Sequence, residues 1–368
     1  MPSQLFALTA ALLASFTAIA APTISYPAIS TFDGSFTVAR FCEAGYTCLY
    51  ADLLVGESKT ISRVVIDTVF MDVWVTGSNC CGTDAKACQP GEKGSVTVNE
   101  NFKSTGKNTQ IVFYDDKTDS YFGANITGYS TQLQLDDIRI PGVNIGVATS
   151  TVGRVRIRGM LGLGLNDTSF MQGGHFLDSL GVSQFGIYIP PPNKFNDKGH
   201  LSLGYYSDKK YGVVGSKLQW FSVLTTKMGT FREWVITTEM VISSFDSMGK
   251  HRFLFYTRDL TASAANAING WFGGKFDTAT NTTIVPCTGN PLIFTIINDE
   301  TSEDVSYTIP YSALVNEVSN KRCISLVDDG DSNDRNTFGT PFFQAAYVGF
   351  DRGQKRIGFV PLDSKFSS

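Results

Sequence analysis

Apolar and polar residues alternate along this chain with a period of two, in short runs that Gly, Asn and Asp repeatedly break. Ser62-Arg-Val-Val-Ile-Asp67, Thr109-Gln-Ile-Val-Phe-Tyr114, Leu135-Asp-Asp-Ile-Arg-Ile140 and Phe185-Gly-Ile-Tyr-Ile189 all read as strands. Successive side chains of a strand point to opposite faces, so this rhythm builds sheets with one buried face. Helical pattern is confined to patches such as Asn166–Leu180 and Pro310–Val318. The 35 Gly, 27 Phe and 14 Tyr suit strands joined by tight turns. The expectation is an all-β fold.

A chain of 368 residues has room for two domains, each with a sizeable core. Net charge −4 and pI ≈ 5.5 give no basic surface for nucleic acid or an anionic membrane. Three scattered histidines, His175, His200 and His251, argue against a metal site and against a His-based triad. No cofactor is indicated. Residues 1–21 read as a signal peptide, with an apolar run over Leu5–Ala20 and small residues at Ala18, Ala20 and Ala21. That run is too short to be a retained span, and the C-terminal Asp363–Ser368 has no hydrophobic tail for a lipid anchor. The expectation is a secreted, extracellular monomer without a membrane anchor. Seven cysteines in such a chain imply disulfides and one leftover thiol. The pairings read from spacing are Cys42 with Cys48, Cys88 with Cys80 or Cys81, and Cys287 with Cys323. Asn125, Asn166 and Asn281 begin glycosylation sequons.

The punctuated stretch Pro190–Gly199 reads as a loop between two strands, because strand-like sequence resumes at His200-Leu-Ser-Leu. A pseudo-repeat sets the larger plan. Val64-Val-Ile-Asp67-Thr68-Val69-Phe70 and Gly274-Lys-Phe-Asp277-Thr278-Ala279-Thr280 share an apolar approach, Asp-Thr, and a small or β-branched residue, one copy in each half. Each is followed by an apolar segment with Gly: Gly159-Met-Leu-Gly162 and Phe338-Gly339-Thr-Pro-Phe-Phe343. Two lobes, 22–207 and 208–368, each donating one Asp to a shared cleft, is the economical reading. Two carboxyls held close together share a proton, because both cannot ionise easily in a poorly solvated site. The ionised member takes a proton from water while the protonated member polarises a peptide carbonyl.

The surroundings of these Asp residues resemble the pepsin-like aspartic peptidases. Tyr50-Ala-Asp-Leu-Leu-Val-Gly56 is similar to the family's first strand, and Asp72-Val-Trp74-Val75 to the Trp strand behind the first active-site turn. Cys80 to Cys88 stands where the family has a small disulfide loop. Leu161-Gly-Leu-Gly164 resembles its Gly-rich segment, and Ala346 to Pro361 its terminal strands. The resemblance implies a bilobal double β-barrel with an active-site cleft between the lobes and a peptide or protein substrate. It implies Asp67 and Asp277 as catalytic dyad and Thr68 and Thr278 as the grip between their loops. It implies Tyr114 as flap tyrosine, with Trp74 its hydrogen-bond partner.

The chain also departs from the family. The Asp-Thr/Ser-Gly loops here read Asp67-Thr-Val69 and Asp277-Thr-Ala279, and Gly at the third place gives the close approach that a Cβ would obstruct. Phe70 replaces a hydroxyl residue that would hydrogen-bond the first Asp, and its loss should raise that carboxyl's pKa. Asn281 replaces a second small hydroxyl residue next to the expected dyad, a poor place for a glycan. The segment Pro22–Arg40 holds one basic residue, Arg40, where the family carries a basic pro-segment. Two readings stay open: an acid endopeptidase with an altered site, or a catalytically inactive relative that binds peptide in the cleft.

Overall fold

The computed structural model describes residues 31–39, 48–57, 61–82, 94–115, 120–152, 157–165, 176–191, 198–224, 234, 236, 239–246, 249–256, 262–280, 282–298, 303–319, 321–327 and 339–367. The first half contributes β1 (Phe32–Ala39), β2 (Cys48–Val55), β3 (Ile61–Asp67), β4 (Val73–Gly82), β5 (Lys103–Asp115), β6 (Ser120–Leu135), β7 (Ile138–Val152) and β8 (Gly159–Gly162). Helix α1 (Phe176–Leu180), β9 (Gln184–Tyr188), β10 (Gly199–Leu203) and α2 (Asp208–Tyr211) follow. The second half holds β11 (Gln219–Ser222), β12 (Glu239–Asp246), β13 (Gly249–Tyr256), α3 (Ala262–Trp271), β14 (Lys275–Asp277), β15 (Thr282–Val285), β16 (Leu292–Asn298) and β17 (Glu303–Ile309). It closes with α4 (Tyr311–Leu314), β18 (Val315–Ser319), β19 (Arg322–Ser325), α5 (Thr340–Phe343), β20 (Ala346–Asp351), β21 (Arg356–Pro361) and α6 (Ser364–Ser367).

The fold is all-β and two-lobed. Thirteen strands form one sheet in the order β11-β21-β20-β9-β10-β1-β2-β3-β8-β4-β7-β6-β5, and two four-stranded sheets, β13-β12-β16-β17 and β14-β15-β19-β18, belong to the second half. β1 joins two arms of the large sheet: Phe32–Phe36 pair with β10, and Thr37–Ala39 pair with β2. The arm beyond β10 mixes both halves of the chain, since β9 pairs with β20. Phe185 of β9 stacks on Phe350 of β20 with ring centres 4.5 Å apart, inside the main core. β9 and β10 pair antiparallel, with Tyr188 opposite His200, and residues 192–197 between them lie outside the described residues.

Two expectations need correction. Leu135–Ile140 is not one strand but a hairpin, with Leu135 opposite Ile138 and Asp136 at φ 47°. A short polar Asp tolerates the left-handed backbone that such a tight turn needs. The sequence also carries a helix that alternation hid: α3, whose Ala265, Ile268 and Asn269, with Phe272 just beyond its end, are buried at the spacing of one helical face. Most of its residues are small or polar, so it gives a weak apolar signal.

Candidate active site

β3 delivers Asp67. Ser62, Val64 and Ile66 are buried while Ile61 and Arg63 face solvent, so the alternation sets which way the strand's end projects. β8 lies between β3 and β4, parallel to the first, with Val65, Ile66 and Asp67 opposite Met160, Leu161 and Gly162. The Leu163 N–H then donates to the Asp67 carbonyl at 2.7 Å, and the Gly164 N–H to the Phe70 carbonyl at 2.7 Å. The two glycines are required by this crossing. A Cβ on Gly164 would sit 2.1 Å from the Val69 carbonyl oxygen, and one on Gly162 would sit 2.5 Å from the Met71 carbonyl carbon.

The loop then turns back onto its own carboxyl. Asp67 Oδ1 accepts the Val69 N–H at 2.6 Å and the Phe70 N–H at 2.9 Å. The pKa of Asp67 is raised; burial is the largest cause, and these two amide hydrogen bonds oppose it. Phe70 thus lacks a hydroxyl but still donates through its backbone, while its ring packs beside Trp74. The Val69 side chain is 51% exposed, so its methyls project outward and not into the core.

Asp277 has a different setting. It ends β14, which among the described strands pairs only with β15, antiparallel. Its Oδ2 accepts the Thr280 hydroxyl at 2.9 Å and Arg322 Nη2 at 2.6 Å, and its Oδ1 accepts the Ala279 N–H at 3.0 Å. Its pKa is lowered, by the Thr280 hydroxyl first, then by the Ala279 amide and by Arg322. Neither carboxyl is among the groups that shift the titration of the other. The expected close pair of carboxyls is not assembled.

Topology gives the reason. β2 and β12 each open a hairpin and pair again with a later one: β2 with β3 and β6, β12 with β13 and β16. Asp67 is the last residue of β3; the last residue of β13 is Tyr256, opposite Glu239 at the start of β12. The position corresponding to Asp67 is therefore at Tyr256, and Asp277 comes later, beyond α3. A sequence signal for this exists in the apolar run Phe253-Leu-Phe-Tyr256, which ends shortly before the Ala-rich stretch from Ala262.

The sequence profile described as eukaryotic aspartyl protease matches residues 49–362. The chain belongs to the pepsin-like aspartic peptidase family. It is similar to vacuolar protease A of Aspergillus fumigatus, 25% identical over 186 residues. That match covers 47% of this chain and 43% of the relative, less than half the length of either.

The other residues that the pepsin-like pattern singles out are placed as follows. Trp74, 1% exposed, has its indole N–H without a partner among the described residues. Tyr114 stands in β5 opposite Tyr121, and its side chain lies outside the described set. Thr68 is half-buried and Thr278 exposed, and neither hydroxyl bonds a described residue. Cys287 and Cys323 are joined with their Cα atoms 5.2 Å apart. Cys80 is in a disulfide, while Cys81, next to it on the opposite face of β4, is a free exposed thiol. Cys42, Cys88, Asn166 and Asn281 lie outside the described residues, as does the side chain of Cys48. Asn125 is exposed, and its Nδ2 donates to Ser150 Oγ at 2.7 Å. Among the described residues, no helix is long and apolar enough to cross a membrane, and no group of three His, Cys, Asp or Glu could hold a metal.

Proposed function

We propose that this chain is a secreted, non-hydrolytic member of its family that holds an extended peptide between lobes 22–207 and 208–368. The observation that carries the reading is the single carboxyl. Asp67 keeps the family's loop, whereas Asp277 is engaged by Arg322 and Thr280, and Tyr256 ends the strand that corresponds to β3. Water activation by a dyad needs one ionised and one protonated carboxyl within about 3 Å. A lone Asp67 can take a proton from water or give one to a peptide carbonyl, but cannot do both in one step. Val69, half exposed beside it, offers an apolar contact to an apolar peptide side chain.

The competing reading is an acid endopeptidase, favoured by the intact hydrogen-bonded loop around Asp67. Purified, disulfide-bonded protein incubated with a denatured protein at roughly pH 3 to 5 separates the two. The proposal expects no new peptides by mass spectrometry and peptide binding that survives Asp277→Asn. Cleavage that Asp67→Asn abolishes would establish the endopeptidase instead.

A further inference from the structure

β1 is the one strand through which the hydrogen-bonded ladders of the two arms of the large sheet meet, and a His–Asp contact fastens it. Asp33 of β1 is opposite Ser202, and Ser35 is opposite His200. Asp33 and His200 are thus diagonal neighbours on one face of the sheet, within reach of each other. His200 Nε2 meets Asp33 Oδ1 there. The imidazole is nearly covered, with 12% of its side chain exposed, and Nδ1 is buried without a hydrogen-bond partner among the described residues.

That second nitrogen decides the preferred protonation state. In the neutral ring, Nε2–H donates to Asp33 and Nδ1 keeps a lone pair, which costs less when unpartnered than an N–H of a charged ring does. In the charged ring both nitrogens are donors, and Nδ1–H would be a buried donor with no acceptor. Groups on every neighbouring element bear on the ring. Tyr211 of α2 packs against it with ring centres 5.3 Å apart, and Tyr188 of β9 is its strand partner and stacks on Tyr211 at 4.2 Å. Lys210 of α2 opposes a positive charge on it, and Asp33 favours one. Tyr205 hydrogen-bonds Asp33, and Asp136 of the β6–β7 turn accepts the Ser35 N–H at 3.2 Å.

We propose that His200 and Asp33 form an acid-sensitive latch on β1: it is closed with neutral imidazole, and protonation of His200 loosens the β1–β10 ladder and with it the joint between the two arms. Burial, the largest influence on His200, lowers its pKa, and the Lys210 charge acts in the same direction. The folded chain therefore resists a proton that the opened strand accepts. The latch is fully closed above the unfolded value of about 6.5 and weakens as pH falls below it, until the lowered folded value is reached. Within that window one proton changes the opening equilibrium by up to about tenfold per pH unit.

The test is amide hydrogen exchange by mass spectrometry on the full protein from pH 7.5 to 4.5, corrected for intrinsic exchange. Peptides covering Phe32–Phe36 and His200–Leu203 should lose protection as pH falls, while the β6–β7 hairpin keeps it. His200→Phe, which retains an aromatic ring against Tyr211 and cannot titrate, should flatten that dependence. Asp33→Asn keeps an acceptor for Nε2–H but removes the charge that favours protonation, so it should leave the onset of loosening unchanged and extend the loosening to lower pH. Parallel loss of protection in both regions would overturn the latch. So would loosening that persists unchanged in His200→Phe. Should His200→Phe not fold, the lower limit of the loosening in Asp33→Asn decides: loosening that levels off at the same pH as in the parent, or at a higher one, refutes the proposal.

Discussion

The Asp67 loop and the Asp277 hairpin carry nearly the same sequence signal and are different structures. Asp67 ends a strand gripped by a parallel partner, with glycines where the backbones cross, and its carboxyl is satisfied by backbone N–H groups. Asp277 ends a three-residue strand at an exposed hairpin, and its carboxyl is satisfied by a hydroxyl, an amide and a guanidinium. An Asp-Thr dipeptide does not fix its own surroundings. The first site depends on tertiary contacts from residues far along the chain; the second is a polar clasp that keeps its Asp ionised.

Substitution at the crossing should separate them most. Gly164→Val puts side-chain atoms where the Val69 carbonyl stands, and should cost about 3 kcal/mol or more or abolish folding. Ala279→Gly, in the exposed hairpin, should change denaturant stability by less than about 1 kcal/mol. If both are equally mild, the crossing is not a close-packed element.

Next in size is the disulfide behind the Asp277 hairpin. Cys287 and Cys323 are 36 residues apart in sequence, and Cys287→Ser with Cys323→Ser should remove about 3 to 4 kcal/mol of stability. Unchanged urea unfolding would mean that the second region is held by packing alone.

The pH dependences of the two Asp variants should have opposite signs. Asp67 has a raised folded pKa, so it costs stability above the ordinary value of 3.8, and acidification through the raised value relieves that cost. Asp277 has a lowered folded pKa, so its contribution is present above 3.8 and is lost as pH falls through the lowered value. Denaturation curves followed from pH 7 down to about pH 2 should show Asp67→Asn gaining on the parent at the high-pH end, and Asp277→Asn falling behind it above 3.8 but no longer at the acid end. The same sign for both would erase the distinction.

Smallest is Arg322→Met. Its guanidinium is partly exposed, so the stability loss should stay within about 1 kcal/mol. The Asp277 carboxyl titration, followed by carbon NMR, should nevertheless move upward. An unmoved titration would mean that Arg322 adds nothing to the clasp.

Most strands are legible because alternation is local: Ser62–Asp67, Thr109–Tyr114 and Phe185–Ile189 fall in β3, β5 and β9, the last ending one residue early. The Gly-rich segment at Leu161–Gly164 is legible because small residues mark backbone crossings. The second carboxyl position is not. Asp277 matches through a dipeptide, and the distinguishing facts are non-local: which strand follows β12, and that α3 comes before Asp277. The turn hidden inside Leu135–Ile140 has the same origin in miniature. Asp136 and Asp137 sit in an apolar alternation, and only the register of Leu135 with Ile138 reveals the turn. The free thiol of Cys81 likewise needs a structure, because spacing treats two adjacent cysteines alike.

β1 has a mechanical meaning beyond its place in the strand order. It is a lap joint that, among the described residues, overlaps one arm along five residues and the other along three. A pull along the strand loads both overlaps in shear, and the shorter one, Thr37–Ala39 against Tyr50–Cys48, yields first. Among the described residues, the hydrogen-bonded ladder between the two arms is then only as strong as those three pairs.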